Sequence, residues 1–75
     1  MSQEQIQSYL IAYTIDHMTE FLIEDYGVSI AEALNFIYNS ETYQKLIDTD
    51  NGLYEQSASY VYEILSEEYQ LSLHN

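Results

Sequence analysis

Apolar residues recur three and four positions apart along nearly the whole chain, a spacing that predicts helices from end to end. The first helix is expected from about Gln3 to Tyr26. Ser2 and Gln5 form a capping-box pattern at its start, and Gly27 suits the left-handed position just past its end. Two apolar stripes run along it. One holds Ile6, Leu10, Tyr13, His17 and Phe21; the other holds Ile11, Ile15, Met18, Leu22 and Tyr26. Together they wrap well over half the circumference and leave a narrow face of Gln5, Asp16, Glu20 and Glu24. A helix this apolar must be buried on several sides, by the rest of the chain or by a second copy.

Ser29-Ile30-Ala31-Glu32 is a second capping box, at the head of an apolar run through Ala33, Leu34, Phe36, Ile37 and Tyr38. Asn39-Ser40 ends that helix, and Ser40 caps a short third one from Glu41 to about Ile47, with Tyr43, Leu46 and Ile47 turned inward. Asp48-Thr49-Asp50-Asn51-Gly52 reads as a turn, since these residues tolerate positive φ or bond their own backbone. Leu53 to Gln56 leads to Ser57, which caps a fourth helix from about Ala58 to Leu71. Its inward positions are Val61, Ile64, Leu65 and Tyr69. Asn51-Gly52 is also a hairpin signal, and Tyr60-Val61-Tyr62 has strand propensity. The flanks do not alternate in period two, however, and the helical pattern continues through Glu63 to Glu68. The expected fold is all-α: residues 1–75 as one domain, a small bundle of four helices.

Charge changes this picture more than any motif does. Against thirteen Asp and Glu the chain sets one Lys, no Arg and a net charge of −12. With one fixed cation it has no grip on phosphates, so direct binding to nucleic acid or to an anionic membrane surface is excluded as an expectation. The longest apolar stretch is broken by Asp16, Glu20 and Glu24, so no membrane span is expected. The opening residues, Met1 to Gln5, are polar and acidic rather than basic and then apolar, so no secretory leader is expected. There is no Cys, which fits a cytoplasmic location and removes disulfides and thiolate metal sites. Hydrophobic content of 47% nevertheless argues for a folded chain.

Candidate chemistry is sparse. His17 and Glu20 lie one helical turn apart, a spacing that two metal ligands can use, but a di-metal bundle needs several such contributions and the chain supplies one. His17 reads instead as the edge of a packed stripe, and His74 as part of a frayed tail. Asp48-x-Asp50-Asn51-Gly52 resembles the start of a calcium loop and fails on register. Counting from Asp48, the sixth position is Leu53 rather than Gly and the twelfth is Ser59 rather than an acid. No Cys or elbow Ser offers a nucleophile, and no Gly-rich loop offers a phosphate cradle. No catalytic residue, metal or cofactor is therefore expected. Nine tyrosines remain, too many for so small a core. Tyrosine combines apolar area with a polar tip, which suits interfaces. Tyr9, Tyr54 and Tyr62 are expected to be the most exposed. With Asp16, Glu20 and Glu24 they make the candidate interaction surface.

The segments Tyr26-Gly27-Val28-Ser29-Ile30-Ala31-Glu32-Ala33-Leu34, Asn39-Ser40-Glu41-Thr42-Tyr43, Gly52-Leu53-Tyr54 and Ser57 to Tyr62 resemble a family of small, acidic, helical bacterial proteins without an assigned activity. The resemblance covers about residues 26–65. In that family's pattern proline often stands where this chain has Thr49 and Ala58. Relatives of this kind are often suspected of lying beside toxin-like genes. The resemblance implies a helical fold and carries over no catalytic or binding residue.

The leading expectation for function is a non-enzymatic module that binds a more basic protein, in the manner of an antitoxin or inhibitor, with acidic steering and tyrosine anchors. The alternative is a self-associating structural protein, and a homodimer paired through the first helix is itself expected, because three shorter helices cannot easily cover both stripes. There Ile11, Ile15, Met18 and Leu22 would meet a twin, at roughly 1.5–3 kcal/mol per buried side chain before association costs. A DNA mimic ranks lower. Carboxylates four apart on a helix repeat every ~6 Å, against one charge per ~1.7 Å of duplex.

Self-repulsion among so many carboxylates should lower stability at low ionic strength. The melting temperature followed by circular dichroism is expected to rise by several degrees from about 10 mM to about 150 mM salt, as the screening length shortens to about 8 Å. An unchanged melting temperature would show that the charges are already too far apart to matter.

Overall fold

The computed structural model describes residues 1–74. Four α-helices make up the described residues: α1 Gln3–Tyr26, α2 Ile30–Tyr38, α3 Glu41–Ile47 and α4 Ala58–Leu73. Two single 3-10 turns, Thr49–Asn51 and Leu53–Glu55, join α3 to α4. No strand occurs among the described residues, so Tyr60-Val61-Tyr62 belongs to a helix and the hairpin reading falls. The molecule measures 40 × 20 × 18 Å. Its long dimension is set by α1, which at 1.5 Å per residue is about 36 Å long.

Each helix starts where a serine can close it. The Ser2 hydroxyl accepts from the Gln5 N–H, and the Gln5 side chain accepts in return from the Ser2 N–H. Ser29 and Glu32 make the same reciprocal pair at α2. The Ser29 backbone and hydroxyl bonds hold the Glu32 carboxyl below its ordinary range. Ser57 caps α4 through the Tyr60 N–H. Gly27 ends α1 at φ 68°, where a side chain would be strained, and its N–H reaches the Ile23 carbonyl. Helix α4 runs two residues beyond the expected Leu71, to Leu73, with the Ser72 hydroxyl donating to the Tyr69 carbonyl.

The core is one cluster. Helix α1 contributes Ile15, Met18 and Leu22, α2 Ala33 and Ile37, α3 Leu46, the second 3-10 turn Tyr54, and α4 Val61 and Leu65. The stripe assigned above to a twin is thus largely the molecule's own interior. Met18 and Leu22 have no exposed surface at all. Helices α2 and α4 and the second 3-10 turn pack directly on α1, and α3 closes the core from behind α4 and that turn. In α3 the burial is displaced from expectation. Ile47 is exposed, and Thr42 is buried in its place. On α4 the expected inward positions Ile64 and Tyr69 are only half-buried.

Thr42 is buried because the start of α3 is clamped by α4. The Glu68 carboxylate accepts from the Glu41 N–H at 2.8 Å, the Thr42 N–H at 3.0 Å and the Thr42 hydroxyl at 2.7 Å. Beside it Ser40, also buried, accepts from the Tyr43 N–H and donates to the Ile37 carbonyl, tying the end of α2 to the start of α3. A carboxylate at a helix N-terminus meets unpaired N–H groups and the positive end of the dipole. Burial by itself would raise the Glu68 carboxyl. The bonds from Glu41 and Thr42, with the charge of Lys45, outweigh it and hold the group below its ordinary value of 4.5. This contribution is complete above the ordinary carboxylate value and is lost as the pH falls through the lower folded one.

In E68Q the amide would turn a donor toward a backbone donor or give up the bond. A loss of about 1–2 kcal/mol at neutral pH is expected from urea unfolding, below the usual value for charged hydrogen bonds because the group is partly solvated. The gap from wild type should close as the pH is lowered below 4.5. A gap that persists in acid would mean that shape rather than charge holds the joint. A second comparison tests the core. Tyr54→Ala should cost about 3 kcal/mol, as for a buried aromatic. Tyr60→Ala, at an exposed position, should cost less than about 0.5 kcal/mol.

Candidate functional site

The outer side of α1, opposite the core, carries two parallel rows of side chains. Residues four apart on a helix stand nearly above one another. One row is Tyr9, Tyr13, His17 and Phe21; the row next to it contains Asp16, Glu20 and Glu24. The first row is a ladder of rings. Centroids lie 6.5 Å apart for Tyr9 and Tyr13, 4.3 Å for Tyr13 and His17, and 6.1 Å for His17 and Phe21. Tyr62 of α4 continues it, 5.1 Å from Phe21. Exposure falls along the ladder. Tyr9 is 60% exposed and Tyr13 49%, while His17, Phe21 and Tyr62 are half-buried. Ile6, 44% exposed, extends the apolar surface toward the start of α1. Asp16, Glu20 and Glu24 are all exposed.

Two of the three expected tyrosines are not among the exposed rings of this surface. Tyr54 is only 8% exposed. The turn from Asp48 to Gly52 directs it inward. The Asp50 N–H bonds the Asp48 side chain, the Leu53 N–H bonds the Asn51 side chain, and Gly52 takes a φ of 74°. The Tyr54 ring then enters the core, and its hydroxyl accepts from the Gln7 side-chain amide at 3.2 Å. Tyr62 turns toward α1, where its hydroxyl donates to the Asp25 carboxylate at 2.6 Å and to the Phe21 carbonyl at 3.3 Å. Burial, then the Asp25 bond and charge, push the Tyr62 phenol well above its ordinary value. It is a structural tie between α1 and α4.

Tyr13 and Ile6 were placed on an inward stripe by their spacing, and the structure exposes them. Both stripes of α1 have helical period, so period alone does not rank them. The side-chain types do. Ile15, Met18 and Leu22 carry no polar atom that needs water, whereas Tyr13 and His17 end in one. Tyr9 is the expected tyrosine that stays on the surface, with Tyr13 as its neighbour on the ladder.

Elsewhere the chemistry is thin. A cleft of about 430 Å³ beside the Asn51–Gly52 turn is lined by Lys45, Leu53, Gln56, Tyr60 and Ile64. It holds no carboxylate or imidazole to pair with a nucleophile. Among the described residues no group of three or more His, Asp or Glu side chains stands close enough to hold a metal ion. No described helix is long and apolar enough to cross a membrane. Comparison of the chain with protein-family models, with curated proteins and with solved structures finds no match.

Proposed function

We propose that this chain is a non-enzymatic binding module for a more basic protein, of the antitoxin or inhibitor kind, and that α1 presents the binding surface. One observation carries the reading. The exposed apolar surface of Ile6, Tyr9 and Tyr13 lies directly beside a row of exposed carboxylates, in a molecule with a single Lys. Aromatic area supplies the anchor, and the charge supplies steering and selectivity. The resemblance to small acidic helical proteins suspected of lying beside toxin-like genes points the same way. The stripe assigned above to a homodimer is largely inside, so a twin would need an exposed face such as this one. A second copy would bring its own carboxylates to the contact, and charge then favours a basic partner over a twin.

Two measurements test this. Sedimentation equilibrium of the purified chain at micromolar concentration should give a monomer mass. A dimer that persists at high dilution would favour self-association instead. The chain should then retain a basic protein from its native host. Once that protein is identified and purified, its affinity should fall at least about tenfold when Asp16→Asn, Glu20→Gln and Glu24→Gln are combined, and should fall with added salt. Equal affinity for the triple variant would overturn the reading.

A further inference from the structure

Resting on that reading, we propose that the partner element is an amphipathic α-helix bearing Lys or Arg, laid along the outer face of α1 with its apolar side on Ile6, Tyr9 and Tyr13. Three features of the surface select a helix. The first is its backbone. From Ile6 onward the N–H and C=O groups of α1 bond within the helix or its cap, so the face offers an incoming chain no main-chain partner. No sheet edge is present among the described residues to receive an added strand. An extended segment would leave its own backbone groups unpaired against the tyrosine rings, whereas a helix arrives with its backbone satisfied.

The second is spacing. Asp16, Glu20 and Glu24 climb α1 at about 6 Å per step. Cations four apart on a second helix climb at the same rate, so three pairs can stay in register over about 12 Å. The rings form a ridge of residues four apart, the element that seats in the groove of another helix. The third is the way the face ends. Tyr62 packs on Phe21 and is bonded to Asp25, so α4 closes the ladder beyond His17. Toward Met1 the ladder stays open, with Tyr9 and Tyr13 its most accessible rings and Ile6 exposed beyond them. The docked helix therefore takes its apolar seat between Ile6 and Tyr13, and its cationic flank runs on along Asp16, Glu20 and Glu24, which α4 leaves exposed.

The probe is a synthetic helix of about 20 residues, with leucines on one side and lysines four apart along the flank. It is compared with a peptide of the same composition in scrambled order, and with one whose lysines are replaced by glutamate. Affinity is read by fluorescence anisotropy and location by amide chemical-shift changes in the labelled full chain. The amphipathic basic helix should bind in the micromolar range. It should shift Ile6, Tyr9, Tyr13, Asp16 and Glu20 and leave the Leu53–Tyr60 side unmoved. Tyr13→Ala should weaken binding about tenfold, as for an interface anchor, whereas Tyr60→Ala should not. The proposal is overturned if the scrambled peptide binds as well, which would make the attraction charge alone. It is equally overturned if the shifts lie off α1, if Tyr13→Ala is silent, or if the helix does not bind. Should a basic host protein bind through the carboxylate row while the helical probe fails, the binding-module reading stands and the helical partner falls.

Discussion

Met18 and Leu22 lie fully buried in the second half of a helix that runs most of the length of the molecule, and the other elements answer to that burial. Side chains of this size favour the interior by about 1.5–3 kcal/mol each, so a bare α1 in water has the apolar surface to recruit everything else. Helices α2 and α3, at nine and seven residues, are too short to be stable alone. The short helices hold their shape by setting residues such as Ile37, Leu46 and Leu65 into one core with Met18 and Leu22 of α1. Sharing one interior in this way is how so short a chain reaches a single closed core.

Polar groups decide how those short helices meet. The chain has almost no cations for ion pairs, so its joints are hydrogen bonds from backbone N–H groups to acceptors it has in plenty. Glu68 shows this best. A carboxylate in an already acidic molecule is costly among other carboxylates, yet at the start of α3 it finds three donors and a helix dipole. The capping serines do the same on a smaller scale. Every buried side-chain nitrogen or oxygen among the described residues has a partner. The charge that burdens the fold electrostatically is therefore also used to hold its turns.

The surface follows from the core. Once Ile15, Met18 and Leu22 face inward, the positions on the opposite side of α1 have to face water. Those include Tyr9 and Tyr13 as well as Asp16, Glu20 and Glu24. The juxtaposition of rings and carboxylates is thus a consequence of which stripe was buried. It makes a face with both an anchor and a sign, which neither row would provide alone.

Local signals were enough for the elements. Ser2, Ser29, Ser40 and Ser57 mark the four helix starts, and Gly27 marks the end of α1, because caps and left-handed turns are settled within a few residues of sequence. All-α architecture was legible for the same reason. The acidic half of the candidate surface was legible too, since Asp16, Glu20 and Glu24 share the one narrow face of α1 that no apolar stripe claims. What the tertiary structure alone decided was the fate of the tyrosines and the choice between stripes. Tyr54 sits in a connection with no period to betray it, and only the Asp48–Gly52 turn aims it at the core. Tyr62 is drawn half inside by a carboxylate thirty-seven residues away in the chain. The two stripes of α1 have equal period and differ only in how many side chains end in a polar atom. That difference acts once other helices pack, when burial favours the stripe with fewer polar atoms to desolvate.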